Sequence, residues 1–275
     1  MGGGSMKFRK KKLYSLEEIR AMSIAFGQPL QKREYAKFIL IPFVCFAGLT
    51  YLLFHYWWMA ILAGLIGGSY GWFYQLRRKV KNDYEMAAFL ERNRFLNNMT
   101  QLLTNDDMPL IEAFSACAQY AEGELKQKLI DLQITLVDSD EKEIVKAFKS
   151  LRNAYKNDVQ FDQYIEQLGI MFVEGRTSIL TLKDTKDYHN KVLLKQQRFI
   201  EDKQQHKKDF RTMILYSIGF IVGIMLSFTL KKYVDIYAHA LVGMIANTVY
   251  LSIIFYVYHQ FNQRYFDDAV TEVRI

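Results

Sequence analysis

Long apolar stretches lie near both ends of the sequence, and a charged stretch separates them. No formally charged residue occurs between Lys37 and Arg77, and two further apolar stretches cover residues 212–230 and 236–261. A helix needs about 20 apolar residues to cross the hydrocarbon of a bilayer. The first stretch is therefore long enough for two passes, and the later two give one pass each. The pattern predicts four transmembrane helices in two hairpins, at 38–76 and 212–261.

The stretch between the hairpins, 77–211, has a helical pattern of apolar positions. Apolar residues recur at helical spacing, as in Leu96, Met99 and Leu103, and Pro109 is the only proline. Turn residues divide the stretch into six predicted helices, at 83–104, 108–120, 123–137, 140–155, 160–174 and 177–210. The predicted fold class is an all-α membrane protein, in which two transmembrane hairpins flank a cytoplasmic six-helix bundle. Neither Gly nor Pro occurs in 176–218, so the sixth helix is expected to run into the third span.

Basic residues beside the spans predict the topology. Lys37 precedes the first span and four basic residues lie in 77–81, whereas the turn at 55–58 contains neither Lys nor Arg. The positive-inside rule places both termini and the middle domain in the cytoplasm, and the protein in the cytoplasmic membrane. The net charge of +7 and pI of about 9.1 are then explained by anionic lipid, and no direct contact with nucleic acid is predicted.

The ends of the chain carry weaker signals. Residues 1–5 look like an added linker, 6–37 form an N-terminal cytoplasmic segment, and 262–275 form a cytoplasmic tail. Ser15 and Glu18 have the spacing of a helix capping box, with Gly27 and Pro29 as stop signals. The short amphipathic helix predicted there has two interpretations: an anchor or partner dock at the lipid surface, or a helix that packs under the membrane.

Motifs for catalysis are absent from the sequence. There is no GxxxxGK[ST] phosphate loop, HExxH or GxSxG, and Cys45 and Cys117 have no partner spacing. The five histidines are scattered, and each is predicted to have a surface or interfacial role. Charged residues are nearly missing inside the spans, which disfavours an ion pathway. The chain is therefore predicted to be no enzyme, to hold no metal or cofactor, and to keep its thiols reduced.

Two sets of residues are candidate interaction faces. Small residues at a spacing of four allow close approach of helices in lipid, either within one subunit or between subunits. They are Gly64, Gly67, Gly68 and Gly71 in the second span, with Gly219 and Gly223 in the third. A basic face on the fourth domain helix is either solvated or a dock for an acidic partner. It comprises Lys142, Lys146, Lys149 and Arg152.

Local patterns in the middle domain resemble a known family. Residues 95–103 (FLNNMTQLL) and 109–114 (PLIEAF) resemble the opening helical pair of the F-domain membrane proteins of type II secretion. Residues 161–169 (FDQYIEQLG) resemble a later helix of that domain, and Arg176 begins the long helix toward the membrane. With a single F domain, the chain looks most like the platform proteins of Tad-type pili.

The resemblance implies a non-enzymatic platform subunit in the cytoplasmic membrane. Such a subunit would couple a cytoplasmic assembly ATPase to the movement of pilin-like subunits into a filament. It would oligomerise with itself or with a paralogous platform subunit, in contact with membrane lipid. The alternatives are a membrane component of a conjugative DNA-transfer or transport complex, and a membrane-tethered signalling scaffold.

Overall fold

The computed structural model describes residues 21–22, 24, 32–104, 108–175 and 179–266. Within these residues all regular secondary structure is helical, and no strand occurs. The prediction of an all-α protein is therefore confirmed. The predicted N-terminal amphipathic helix and the predicted tail lie mostly outside the described residues.

The first two long segments form an antiparallel hairpin. Helix α1 covers Lys32–Phe54 and α2 covers Trp57–Tyr70. Between them, His55 turns the chain with a positive φ of 55°. The π-helical segment Gly71–Leu76 then joins α2 to α3, which covers Arg77–Thr104. Because the junction residues keep right-handed helical angles, the chain is helical without a break from 57 to 104.

Four shorter helices follow α3. Helix α4 covers Leu110–Tyr120, α5 covers Gly123–Asp138, α6 covers Glu141–Ala154, and α7 covers Val159–Glu174. Asp140 and Asp158 cap the last two of these, because their side chains accept hydrogen bonds from the backbone N–H groups of Glu143 and Phe161.

One helix of 49 residues, α8, covers Leu180–Phe228 and connects this region to the apolar C-terminal segment. Its uninterrupted course agrees with the absence of Gly and Pro from 176–218. The chain turns at Thr229, where φ is 64°. Helix α9 (Leu230–Tyr233) and a π-helical turn (Val234–Ala238) then lead to α10, which covers Leu241–Tyr265.

Three of the described helices are long and apolar enough to cross a membrane. They are α1 (counted from Arg33 onward), α8 and α10. The apolar part of α8 follows Arg211, its last charged residue. The remaining predicted span falls on α2, which has 14 residues before the π-helical segment begins.

Helices α3 to α8 share one apolar core. Leu96, Met99 and Leu103 of α3 are completely buried in it, as the helical spacing predicts. Side chains from α4, α5, α6 and α7, together with Leu182 of α8, complete the same cluster. A second, smaller cluster joins the far ends of the apolar helices, and it contains Leu53, Phe54, Ile221, Met225, Tyr233 and Ala238.

Candidate functional site

A polar seam joins the two helices that lead from the middle region to the apolar helices. Asn93 and Asn97 of α3 donate hydrogen bonds to Oδ1 of Asn190 on α8, at 2.8 and 3.0 Å. Asn190 returns a hydrogen bond to Asn97, also at 3.0 Å. Since such bonds require one relative position of the two helices, the seam fixes the register of α3 against α8.

His189 lies one residue before Asn190 and is completely buried. Its ring stacks on Phe89 at a centroid distance of 4.5 Å, and its Nδ1 lies 2.9 Å from the amide nitrogen of Asn93. On the other side, its Nε2 lies 3.4 Å from Oδ2 of Asp158. The prediction of a surface or interfacial role for this histidine is wrong. Its polar neighbours are 31 or more positions away in the sequence, so the local pattern could not show them.

Asp158 connects three elements at this point. It caps α7, approaches His189, and accepts a hydrogen bond of 2.7 Å from Nε of Arg92 on α3. Burial alone raises the pKa of the Asp158 carboxyl group. The hydrogen bond from His189 and the charge of Arg92 outweigh burial, so the pKa lies below its ordinary value. The carboxylate is therefore a charged anchor between α3, α7 and α8.

A second polar contact attaches α10 to the segment that follows α2. The amide of Gln75 donates to the hydroxyl of Tyr258 at 2.6 Å and to Oδ1 of Asn262 at 2.9 Å. One turn earlier, the hydroxyl of Tyr70 lies 2.9 Å from Nδ1 of His259. Gln75 belongs to the π-helical segment, a type of irregularity that often accompanies functional contacts. The two apolar hairpins are thus joined on the side that leads to α3.

The opposite ends of the same helices are joined through a backbone carbonyl. The oxygen of Leu53, in the last turn of α1, accepts a hydrogen bond of 2.8 Å from Nδ2 of Asn247. The hydroxyl of Tyr233 lies 3.5 Å from the same oxygen. The last four carbonyls of a helix have no partner within the helix, so this contact satisfies one of them.

The two glycine faces have different surroundings. A Cβ built on Gly71 would lie 1.9 Å from the carbonyl oxygen of Phe38, and one on Gly67 would lie 2.7 Å from the Phe46 ring. Gly64 also lies against α1, whereas Gly68 has room for a Cβ at 3.4 Å or more. These positions therefore allow close packing of α1 and α2 within one chain. A Cβ on Gly219 or on Gly223 would meet no atom within 4 Å.

The four residues of the basic face of α6 also differ in their surroundings. Arg152 is half-buried and contacts two carboxylates of α7, Asp162 at 3.0 Å and Glu166 at 2.8 Å. Its guanidinium therefore joins α6 to α7. Lys142, Lys146 and Lys149 are exposed and form one stripe along the helix. The candidate docking face is reduced to these three lysines.

The described residues contain no group of three or more His, Cys, Asp or Glu side chains that is placed to hold a metal ion. Cys117 is buried in the core, and burial raises its pKa to about 12, so its thiol is protonated at neutral pH. The carboxylate of Asp158 contacts both Arg92 and the buried His189. These polar contacts connect α3 to α7 and α8, and α10 to the segment that follows α2.

Comparison with known proteins shows a relative that matches nearly the whole chain. No family model matches the chain, and no solved structure matches it. An uncharacterized protein of Bacillus anthracis, pXO2-23, is 34% identical over 268 residues, which are 98% of this chain and 97% of that protein. The match thus includes both pairs of apolar segments and everything between them. The chain therefore belongs to the same family as this uncharacterized protein of Bacillus anthracis.

Proposed function

We propose that this protein is a non-enzymatic platform subunit of a type IV filament or related secretion machine in the cytoplasmic membrane. In this role it couples a cytoplasmic assembly ATPase to the movement of pilin-like subunits. The observation that carries the proposal is the 49-residue helix α8, which begins in the core of the middle region and continues into an apolar, membrane-length segment. At 1.5 Å per residue this helix is roughly 70 Å long.

A second continuous helical path supports the same role. The chain is helical from 57 to 104, through α2, the π-helical segment and α3. Residues 57–76 of this path contain no charged side chain and number about 20, which suffices for the fourth membrane pass. The asparagine seam then fastens this path to α8 below the membrane. Both hairpins are in this way connected to the middle domain by stiff helices.

The proposed topology places 77–211 and both termini in the cytoplasm. Single cysteines test it in a chain that lacks Cys45 and Cys117. We expect a membrane-impermeant maleimide to label Tyr56→Cys in intact cells, and to label Ser139→Cys only after the cells are opened. Labelling of Ser139→Cys from outside would contradict the topology.

A broken helix tests the mechanical role in the native host. Inserting Gly-Gly-Pro after Gln205 interrupts α8 because it removes helical hydrogen bonds. We expect this variant to reach the membrane and to bind its ATPase, yet to assemble no filaments, as seen by electron microscopy. The same insertion after Ser139, in the turn before α6, is the matched control and should leave assembly intact.

Three outcomes would contradict parts of the proposal. Normal filaments with the broken α8 would mean that the protein is a passive scaffold. Unchanged filaments and secretion after deletion of the whole gene would exclude the platform function, and would favour the transport or signalling alternatives. Saturable ATP hydrolysis by the purified chain, surviving controls for contaminants, would contradict its non-enzymatic character.

The lysine stripe of α6 is the proposed dock for the ATPase or another acidic partner. Changing Lys142, Lys146 and Lys149 to Glu reverses the charge of an exposed face, so folding should be unaffected. We expect the triple variant to lose the co-purifying ATPase after mild detergent extraction. Lys191, Lys195 and Arg198, which are exposed on α8, provide a control triple variant of equal charge change. Equal loss from both variants would show that only net charge matters.

A further inference from the structure

A cavity of about 150 Å³ lies where three helices meet beside the apolar segments. Its walls come from the start of α3, the middle of α8 and the end of α10. This volume is several times the roughly 30 Å³ that one water molecule occupies in the liquid. The cavity is therefore large enough for a small organic group.

Contacts between aromatic rings show at which level along the apolar helices the cavity lies. Phe210 of α8 stacks on Phe261 of α10 at 4.1 Å, and one turn further the ammonium of Lys207 lies over the ring of Tyr265. Tyr265 lines the cavity, as does Lys79, three residues after the apolar Leu76. The cavity thus begins at the level where the charge-free segments end, which in the proposed topology is the headgroup layer of the cytoplasmic leaflet.

Gln196 lines the cavity and has an unsatisfied polar atom. Gln196 is only 5% exposed, and the Oε1 atom of its side chain has no hydrogen-bond partner. A buried carbonyl oxygen without a donor is unfavourable, so the site is suited to a ligand that supplies an N–H or O–H group.

The rest of the wall combines charged and apolar groups. Its two carboxylates, Asp83 and Glu85, are paired with Lys79 and Lys81 of the same helix. Lys79 and Lys203 provide ammonium groups. The ammonium of Lys203 lies 4.5 Å from the centre of the Phe199 ring. Phe199, Ile200 and Met86 give the wall its apolar part. A ligand for this wall carries an anionic group, a hydrogen-bond donor and an apolar portion.

We propose that the cavity binds the phosphoglycerol headgroup of an anionic membrane lipid. Lys79 and Lys203 contact the phosphate, a headgroup hydroxyl donates a hydrogen bond to Oε1 of Gln196, and the lipid backbone lies along the apolar wall. Free glycerol phosphate has the same polar chemistry. The position beside the spans and the apolar wall favour the lipid as the source. The inference uses the membrane placement of the helices, and it is independent of the platform role.

Native mass spectrometry of the full, delipidated chain in detergent tests the site. We expect the protein to retain phosphatidylglycerol at least about tenfold better than phosphatidylcholine, which has no hydroxyl or N–H donor in its headgroup. Gln196→Leu and the double change Lys79→Gln with Lys203→Gln should each reduce this preference to near unity. Lys195→Gln, an exposed charge change one position before Gln196, is the matched control and should keep the preference.

Folding of each variant is checked separately, by an unchanged elution volume and by the continued inaccessibility of Cys117 to thiol reagents. Equal retention of the two lipids by the wild-type chain would overturn the proposal, as would an unchanged preference in the folded variants. Binding of sn-glycerol 3-phosphate with no retention of phosphatidylglycerol would overturn the lipid as the source.

Discussion

The middle helices and the membrane-length helices place apolar side chains in opposite ways. In the middle region Leu96 and Leu129 are 0% exposed, within a core shared by all its helices. In the apolar segments Leu226 and Leu241 are 74% and 76% exposed. Water drives apolar groups together, whereas lipid tails are as apolar as leucine and give no such force. The same residue type therefore has a different structural role in the two regions.

Contacts between the membrane-length helices come from other groups. α1 approaches α2 most closely at glycine, and polar side chains are buried where the two hairpins meet, as with Gln75 and Asn247. In lipid, close backbone approach and hydrogen bonds hold helices together. A substitution should therefore be judged by the surroundings of the helix, and hydrophobicity alone is a poor guide to its effect in this half of the molecule.

The largest effect is expected from Gly71→Leu in the closest contact of the hairpin. Its Cβ would lie 1.9 Å from the carbonyl oxygen of Phe38, a backbone atom that cannot move aside. We expect α1 and α2 to separate and the variant to be extracted from membranes in poor yield. Yield and monodispersity on size-exclusion chromatography in mild detergent give the measurement.

Gly219→Leu makes the same chemical change on α8, where a Cβ meets no atom within 4 Å. It is the matched control and should behave like the wild-type chain as an isolated subunit. Should it instead lose a native oligomer, the open glycine face of α8 would be a contact between subunits. Equal yields of both variants would contradict the assignment of the Gly71 contact.

The next largest effect is expected from Phe161→Ala in the core of the middle region. Phe161 is completely buried and lies edge-on to Phe95 and Tyr155. Truncating a buried Phe costs about 3–5 kcal/mol. In a chain with Cys45→Ser, thiol labelling of Cys117 should accelerate by roughly two to four orders of magnitude, because the core opens more often. Phe220→Ala, at an exposed position of α8, should leave this rate unchanged, and a similar acceleration there would contradict the comparison.

Most of the helical architecture could be predicted from the sequence, because its causes are local. The spacing of Leu96, Met99 and Leu103, the break at 138–140 and the lack of Gly and Pro in 176–218 are all visible in short windows. The first domain helix was predicted to start at residue 83. In the structure α3 begins at Arg77, in direct continuation of the preceding helix, so the predicted start is wrong. Its charged first turns interrupted the apolar pattern, although charge does not end a helix.

The polar contacts between helices could not be predicted in this way. His189 reads as an isolated histidine, and Gln75 as one polar residue at the end of a span. Their partners, such as Asp158 and Asn262, are brought close only by the packing of distant helices. The same holds for Arg152, which the sequence groups with three lysines and the fold pairs with Asp162. The fold is set by local patterns, but the assignment of polar residues requires the tertiary contacts.

A smaller effect is expected from Asp158→Asn, which keeps the helix cap and removes the carboxylate charge. Losing a hydrogen bond to a charged partner costs about 1.5–3 kcal/mol. Because the pKa of Asp158 is lowered in the folded chain, its contribution is full above the ordinary carboxyl pKa near 3.8 and is lost as the pH falls through the lowered value. Cys117 labelling by a reagent active in acid should show the two chains differing at pH 6 and converging at acidic pH. A difference that stays constant down to pH 2 would mean that the charge of Asp158 is not the cause.

The smallest effect is expected from Asn247→Ala, which removes the hydrogen bond to the carbonyl oxygen of Leu53. Hydrogen bonds between membrane helices contribute on average about 0.6 kcal/mol, with a maximum near 1.7. The loss of stability here should be small, since the hydroxyl of Tyr233 lies near the same carbonyl oxygen. Thr248→Ala is the matched control, because its hydroxyl bonds only within α10, to the oxygen of Met244. Thermal midpoints in the same detergent should fall slightly for Asn247→Ala and remain unchanged for the control. A loss of stability as large as that of Phe161→Ala would mean that polar contacts hold the membrane-length helices as firmly as apolar burial holds the middle region. The two regions would then differ in the chemistry of their contacts and not in the strength of those contacts.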